Sequence, residues 1–356
     1  MTLGLDVTGQ YRYPPPDPAW LRRVREGVIE PDLPIIDAHH HLWEQHEEPY
    51  LLDAFGEDLD DGHKIVATVC VEAHYGYRKD GPARLAPVGE TEKVMAMRGR
   101  ARQDRHASLV AEGIVAKADL CLGEAVDEVL DAQRAVAGAA LVGIRHSVSR
   151  DENFPEGIVL RPGPAGLLGD AAYRKGLARL AQRGLVYDAM LYHQQLPELA
   201  AMARALPDLQ IVLDHVGAII GVGPYRGREE EVRKAWAKDM HELAQCPNVS
   251  VKIGGFGMII GGAQWHLDPA PPGSETLAAA WRPYVETCIE LFGSHRCMFE
   301  SNFPVDKAMY SYRTLWNAFK RLAQQYSPAE KADLFLGSAR RIYGLGDVTT
   351  PVCANA

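Results

Sequence analysis

No stretch of this sequence approaches the roughly twenty consecutive apolar residues that a helix needs to cross a bilayer. Its first segment, MTLGLDVTGQYRYPPPDPAW, lacks a basic start followed by an apolar run, so no secretory leader is expected. Lysine and arginine form no cluster, and the formal net charge is −9. A polyanionic partner is therefore disfavoured: neither nucleic acid nor an anionic membrane surface is expected to bind. Cysteine is sparse, with six residues (Cys70, Cys121, Cys246, Cys288, Cys297 and Cys353) and no C-x-x-C pair. Such scattered cysteines read as free thiols in a reducing cytoplasm, and they argue against a zinc–cysteine site.

What remains has the proportions of a globular enzyme: 47% hydrophobic and 24% charged residues. Residues 1–33 stand apart through Pro14-Pro15-Pro16, Pro18 and Pro31, which suggests an extended arm along the body or a neighbouring subunit. A homodimer would fit such an arm. Residues 34–346 alternate short β-rich runs with helical patterns, the mark of parallel βα units, and 347–356 form a tail. Eight runs are expected as strands: Ile35–His39, Ile65–Glu72, Leu109–Lys117, Leu141–His146, Leu185–Leu191, Gln210–His215, Val249–Gly254 and Cys297–Asn302. Several are apolar on both faces, as in Ile211-Val212-Leu213, and strands covered on both sides look like that.

Between them, apolar residues recur at helical spacing in 124–138 and in 229–245. A final helix opens with the capping box Ser327-Pro328-Ala329-Glu330 and is expected to run to Tyr343. Long Gly/Pro-rich stretches at 75–89, 154–169, 219–228 and 261–273 follow strands, where barrel enzymes carry substrate loops. The fold expected is a single (β/α)8 TIM barrel.

The chemistry is concentrated at strand ends. In Asp37-Ala38-His39-His40-His41, alternation puts His39 and His41 on one face and His40 on the other. Two imidazoles converging at the end of a first strand can supply two ligands of a divalent metal; the alternative is a solvated polar strand end. Arg145 and His146 end the fourth strand, where a guanidinium could grip a carboxylate or polarise a carbonyl, or merely bridge strands. Glu72 and Lys117 end the second and third strands, Tyr77 lies in the loop after the second, and Lys252 lies within the seventh. A lysine inside a barrel must meet a carboxylate or bind an anionic substrate.

These motifs carry a resemblance. Asp37-x-His39-x-His41-Leu42-Trp43, then Asp214-His215-x-Gly217, then Ser301-Asn302-Phe303-Pro304, in that order, resemble the amidohydrolase superfamily. More narrowly they resemble its amidohydrolase-2 branch, which contains sugar-lactone and 2-pyrone-4,6-dicarboxylate lactonases; the likeness runs from about Ile35 to Leu345. The resemblance implies a barrel that hydrolyses a small-molecule ester, lactone or amide, often with metal-activated water. His39 and His41 match the first-strand metal pair. His215 matches a histidine expected to touch metal, water or substrate carbonyl. His193, just past the fifth strand, stands where a further ligand often lies. Zinc or manganese is implied, with metal-free catalysis left open.

The eighth strand departs from the pattern. Relatives usually end it with an aspartate that takes a proton from water, and here that position is Asn302, which cannot act as a base at neutral pH. Glu300, two residues earlier, is the favoured replacement as base or ligand, with Asp306 second; a Glu300 paired only with a basic residue inside the barrel is the alternative. The leading function is a lactonase-like hydrolase of an oxygen-rich or carboxylated small molecule. Asn302 keeps open a decarboxylase or hydratase of an aromatic or dienoic acid, and a non-catalytic ligand-binding barrel is the third reading.

Overall fold

The computed structural model describes residues 14–44, 49–104, 106, 108–153 and 162–348. Eight strands follow one another in chain order: β1 Ile35–His40, β2 Ile65–Val71, β3 Leu109–Lys117, β4 Leu141–Arg145, β5 Val186–Ala189, β6 Ile211–Leu213, β7 Val249–Ile253 and β8 Cys297–Phe299. Each pairs in parallel with the next, and helices fill the connections. The sheet comes round almost to closure just beyond β8. There His41 N–H donates to the Phe303 carbonyl at 2.7 Å and Asn302 N–H donates to the His39 carbonyl at 2.9 Å. The architecture is the expected (β/α)8 barrel. All eight expected runs contain a strand, and Glu72, His146, Asp214–His215 and Glu300–Asn302, expected within the runs, follow the strand ends towards the barrel mouth.

The pleat explains how the interior is layered. Inside the barrel, Ile36, Ala38, Val69, Val115, Val142, Val186, Val212 and Met298 pack as one apolar cluster, closed from below by Ala339, Tyr343, Leu345 and Val348. Two residues on from Val186, Val212 and Met298, on the same face, come Asp188, Asp214 and Glu300, and Lys252 of β7 joins them; all four are fully buried. The barrel is thus greasy at its floor and ionic towards its mouth. A larger apolar cluster lies between strands and helices and includes the fully buried Trp236 and Trp316.

The expected helices form, with local differences. The 124–138 segment begins as a 3-10 turn and becomes α-helical over Asp127–Ala137, ending at Gly138 with φ 55°. The closing helix keeps its Ser327–Glu330 capping box, but a π-helical turn at Asp333–Gly337 divides it before Ser338–Ile342. The proline-rich arm, expected to be extended, carries a short helix at Pro18–Leu21 and lies along its own barrel. Trp20 Nε1 donates to the Asp268 carbonyl at 2.8 Å, and Lys320 Nζ to the Glu30 carbonyl at 2.7 Å. Residues 1–13 of the arm, residues 154–161 of the second loop stretch, and the tail from 349, including Cys353, lie outside the described residues. The other five cysteines are free thiols, and no described helix is long and apolar enough to cross a membrane.

Candidate active site

The register of β1 shifts between Asp37 and His40, and the strand delivers His39 and His41 to the mouth while His40 turns outward. His40 stacks on Phe55 and bonds Thr68 Oγ1 at 2.9 Å, the part of a packed core histidine. Below, Asp37 accepts from Ser301 Oγ at 2.6 Å and Tyr312 OH at 2.9 Å, which ties β1 to the end of β8.

His39 and His41 present their Nε2 atoms to each other at 3.2 Å. His41 Nδ1 lies 2.8 Å from the Val71 carbonyl, which can only accept, so the proton sits on Nδ1 and Nε2 shows a lone pair. His39 Nδ1 lies 2.9 Å from Glu300 Oε2, a carboxylate that favours the same tautomer. Two lone pairs facing at this distance repel unless a proton or a cation lies between them. Two imidazole nitrogens bound to one tetrahedral zinc at about 2.0–2.1 Å would stand roughly 3.3 Å apart. The donor set therefore fits a divalent metal. His39, Asp214 and His215 also bring ligand atoms within 4.8 Å of one another.

Glu300 is the hub beneath this cluster. One oxygen meets His39 Nδ1; the other accepts from His215 Nδ1 at 2.7 Å and from the His215 backbone N–H at 3.2 Å. Burial alone would raise its pKa, but His215 and His39 bring it down to about 2. In turn, although burial favours neutral His215, the Glu300 carboxylate raises that histidine's pKa. Burial and Lys252 lower that of His39, and burial chiefly holds His41 well below its usual range. The fit is tight: a Cβ on Gly254 would fall 2.3 Å from Glu300 Cγ, and one on Gly255 2.7 Å from His215 Cβ. Glu300 thus neither bonds a basic residue alone nor points at the mouth as a free base. It orients two histidines, as carboxylates behind metal-binding histidines do.

Lys252 reaches Asp188 at 2.5 Å and Asp214 at 3.2 Å, with His39 Nδ1 at 3.4 Å. Tyr343 OH, rising from the floor, lies 3.0 Å from each Asp188 oxygen. Burial, against the pull of Lys252, raises Asp188 to about 6, whereas Lys252 and His39 overcome the burial of Asp214 and hold it well below its usual range. Arg145 Nε donates to Glu72 Oε1 at 2.8 Å, while Nη1 lies 3.4 Å from His39 Nε2 and 3.6 Å from Asp214 Oδ2. Four carboxylates (Glu72, Asp188, Asp214 and Glu300) thus surround two permanent cations, Arg145 and Lys252, an imbalance that attracts further positive charge.

The other residues singled out in the sequence divide. Glu72 and Arg145 join the cluster. Lys117, at the end of β3, lies in register with Arg145. Tyr77 stacks on His74 with ring centroids 5.6 Å apart. His146 Nδ1 accepts the Leu120 N–H at 3.1 Å; with Asp119 and Cys121 it forms a separate, more exposed group at the rim. His193, expected as a ligand, uses Nδ1 to accept the Ile220 N–H at 3.2 Å and is not in the convergent group. Asp306, the second choice as base, already accepts from Asn302 Nδ2 and Gly257 N–H at 2.8 Å each and from Tyr310 OH at 2.5 Å. Asn302 donates to that carboxylate from a left-handed backbone, φ 54°.

Asp188, Asp214, Tyr343 and His74 were not selected from the sequence. For the first two the signal was present: each stands two residues after a strand valine (Val186, Val212) on the inward face.

The chain is similar to known proteins. A family model described as amidohydrolase matches residues 36–345. An uncharacterized protein y4mH of Sinorhizobium fredii is 35% identical over 332 residues, covering 88% of this chain and 99% of its own. L-fucono-1,5-lactonase of Burkholderia multivorans is 24% identical over 326 residues, covering 87% of this chain and 96% of its own. The crystal structure of an amidohydrolase from Burkholderia multivorans with bound zinc superposes with a TM-score of 0.67 at 23% identity, covering 88% of this chain and 99% of that one. That likeness concerns the fold.

Proposed function

The chain belongs to the amidohydrolase family, and on that premise we propose that it hydrolyses a neutral, hydroxyl-rich lactone with water activated beside His39 and His41. The observation that carries this reading is the 3.2 Å approach of two imidazole Nε2 lone pairs above a carboxylate-rich layer. His39 and His41 would hold a divalent ion such as zinc or manganese, with Asp214 in reach; when bound, it lowers the pKa of water and polarises a carbonyl.

The chain's own groups do the rest. Glu300 fixes Nδ1–H of His215 and strengthens that ring as a base, leaving Nε2 to accept the proton of the attacking water. Arg145, held by Glu72, keeps Nη1 on the mouth side beside His39, where it can donate to the carbonyl oxygen as charge develops.

The charge layout favours a neutral substrate over a carboxylated one. The two buried cations of the mouth already face Glu72, Asp214 and Asp188, so an incoming carboxylate would meet like charge. The lactonase name of the Burkholderia multivorans relative supports the same reaction class. Proton release on a panel of aldonolactones and carboxylated pyrones tests this: turnover of the former is expected, and turnover of neither refutes it.

A further inference from the structure

Hydrolysing a lactone requires a proton for the ring oxygen that leaves as well as a base for water, and His215 accounts only for the second. We propose that His74 is the general acid that protonates the leaving oxygen; this rests on the hydrolytic reading above.

His74 follows β2 by three residues, and the carbonyl of Val71 at the end of that strand is the one that orients His41. The same segment therefore sets both histidines. His74 Nδ1 lies 3.0 Å from Glu72 Oε2, while the other Glu72 oxygen takes Arg145 Nε at 2.8 Å. Glu72 is ionised: although burial opposes it, Arg145 and His74 hold its pKa well below the usual range. An ionised carboxylate on Nδ1 fixes the ring so that Nε2 is free to carry the mobile proton, the arrangement that acid–base histidines use. Arg145 continues the contact to His39 Nε2, so a line of polar contacts joins His74 to the candidate metal pair.

Accessibility distinguishes this histidine. The side chains of His39 and His215 are 0% and 3% exposed, whereas that of His74 is 25% exposed and can exchange protons with solvent. The backbone supports it too: His74 has φ 59°, a left-handed conformation that is unfavourable for a non-glycine residue, and Tyr77 stacks on the ring. The charged and titratable groups around it are Glu72 and Glu90 on one side, Lys117, Arg145 and His146 from the ends of β3 and β4, and Tyr77.

The step balances without another reactant. Water oxygen bonds to the carbonyl carbon and its proton goes to His215 Nε2. The bond from that carbon to the ring oxygen breaks with its electron pair on oxygen, which takes the Nε2 proton of His74. Solvent reprotonates His74, and His215 gives up its proton to the water that replaces the product.

The test compares wild type with His74→Asn, because asparagine tolerates the left-handed backbone and can still donate to Glu72. Rates are read on an aldonolactone and on a nitrophenyl ester, whose leaving group needs no proton, with circular dichroism confirming the fold. The expected result is a loss of roughly 10²–10⁴ in kcat on the lactone and a much smaller loss on the ester. An unchanged lactone rate, or equal losses on both substrates, overturns the role. If wild type turns over neither compound, the hydrolytic reading itself fails and the acid role falls with it.

Discussion

The Nε2 atoms of His39 and His41 stand 3.2 Å apart with both Nδ1 atoms committed elsewhere, His41 to the Val71 carbonyl and His39 to Glu300. Replacing both by alanine (His39→Ala, His41→Ala) should leave the barrel folded and remove divalent-metal binding. Metal content after purification without chelator, read beside circular dichroism, checks this: wild type should carry about one equivalent and the double variant none.

Glu300 holds His39 and His215 together through one carboxylate. Glu300→Gln can accept from only one ring through its single carbonyl oxygen and places an amide N–H against the other. Second-shell losses of this kind cost roughly 10- to 100-fold in metal affinity or activity. Chelator competition should show that weakening; an unchanged affinity would detach Glu300 from the cluster.

Asn302→Asp would restore the aspartate usual in relatives, and we expect no gain. Asn302 Nδ2 donates to Asp306 at 2.8 Å in a fully buried peg. The substitution replaces a donor by a second carboxylate and should destabilise the fold by about 1–3 kcal/mol or more. Denaturant unfolding measures it, and a more active, equally stable variant would contradict this account of the eighth strand.

Lys252 is a buried cation between Asp188 and Asp214. Lys252→Met leaves those carboxylates facing each other without it and should cost roughly 3–5 kcal/mol, the usual penalty for removing one partner of a buried pair. Equilibrium unfolding in urea reads this directly.

How much of this was legible in the sequence follows from what each signal depends on. Strand order came through because alternating apolar runs report burial on both faces, and His39 and His41 came through because their spacing matches the pleat. Glu300 was found, but not its place between two histidines. Whether a carboxylate faces water or two imidazoles depends on His215, 85 positions away, and on the room left by Gly254 and Gly255. Asp188 escaped because its partner Lys252 is 64 residues distant. For His193 and Asp306 the surroundings were not legible: His193 Nδ1 accepts the Ile220 N–H, and both Asp306 oxygens accept from nearby groups. Backbone donors of that sort leave no trace in residue identity.

Stability should also fall with acid in a way traceable to one histidine far from the mouth. His63 accepts from Lys320 Nζ at 2.9 Å, and burial together with that ammonium lowers its pKa to about 3. The unfolded chain, with a pKa near 6.5, binds the proton first. Stability is therefore complete above about pH 6.5 and declines towards pH 3, with a slope of up to about 1.4 kcal/mol per pH unit from this group. His63→Asn keeps an acceptor without the titration, and its unfolding free energy should depend less steeply on pH between 6 and 4.

The central claim is that the histidine pair at the end of β1 performs lactone hydrolysis. The most direct measurement is the initial rate of proton release from neutral aldonolactones by wild type and by the His39→Ala, His41→Ala double variant, each after incubation with zinc or manganese. The account predicts turnover by wild type and none above background by the double variant. Equal rates from the two proteins, or no turnover of any lactone by wild type, would contradict it.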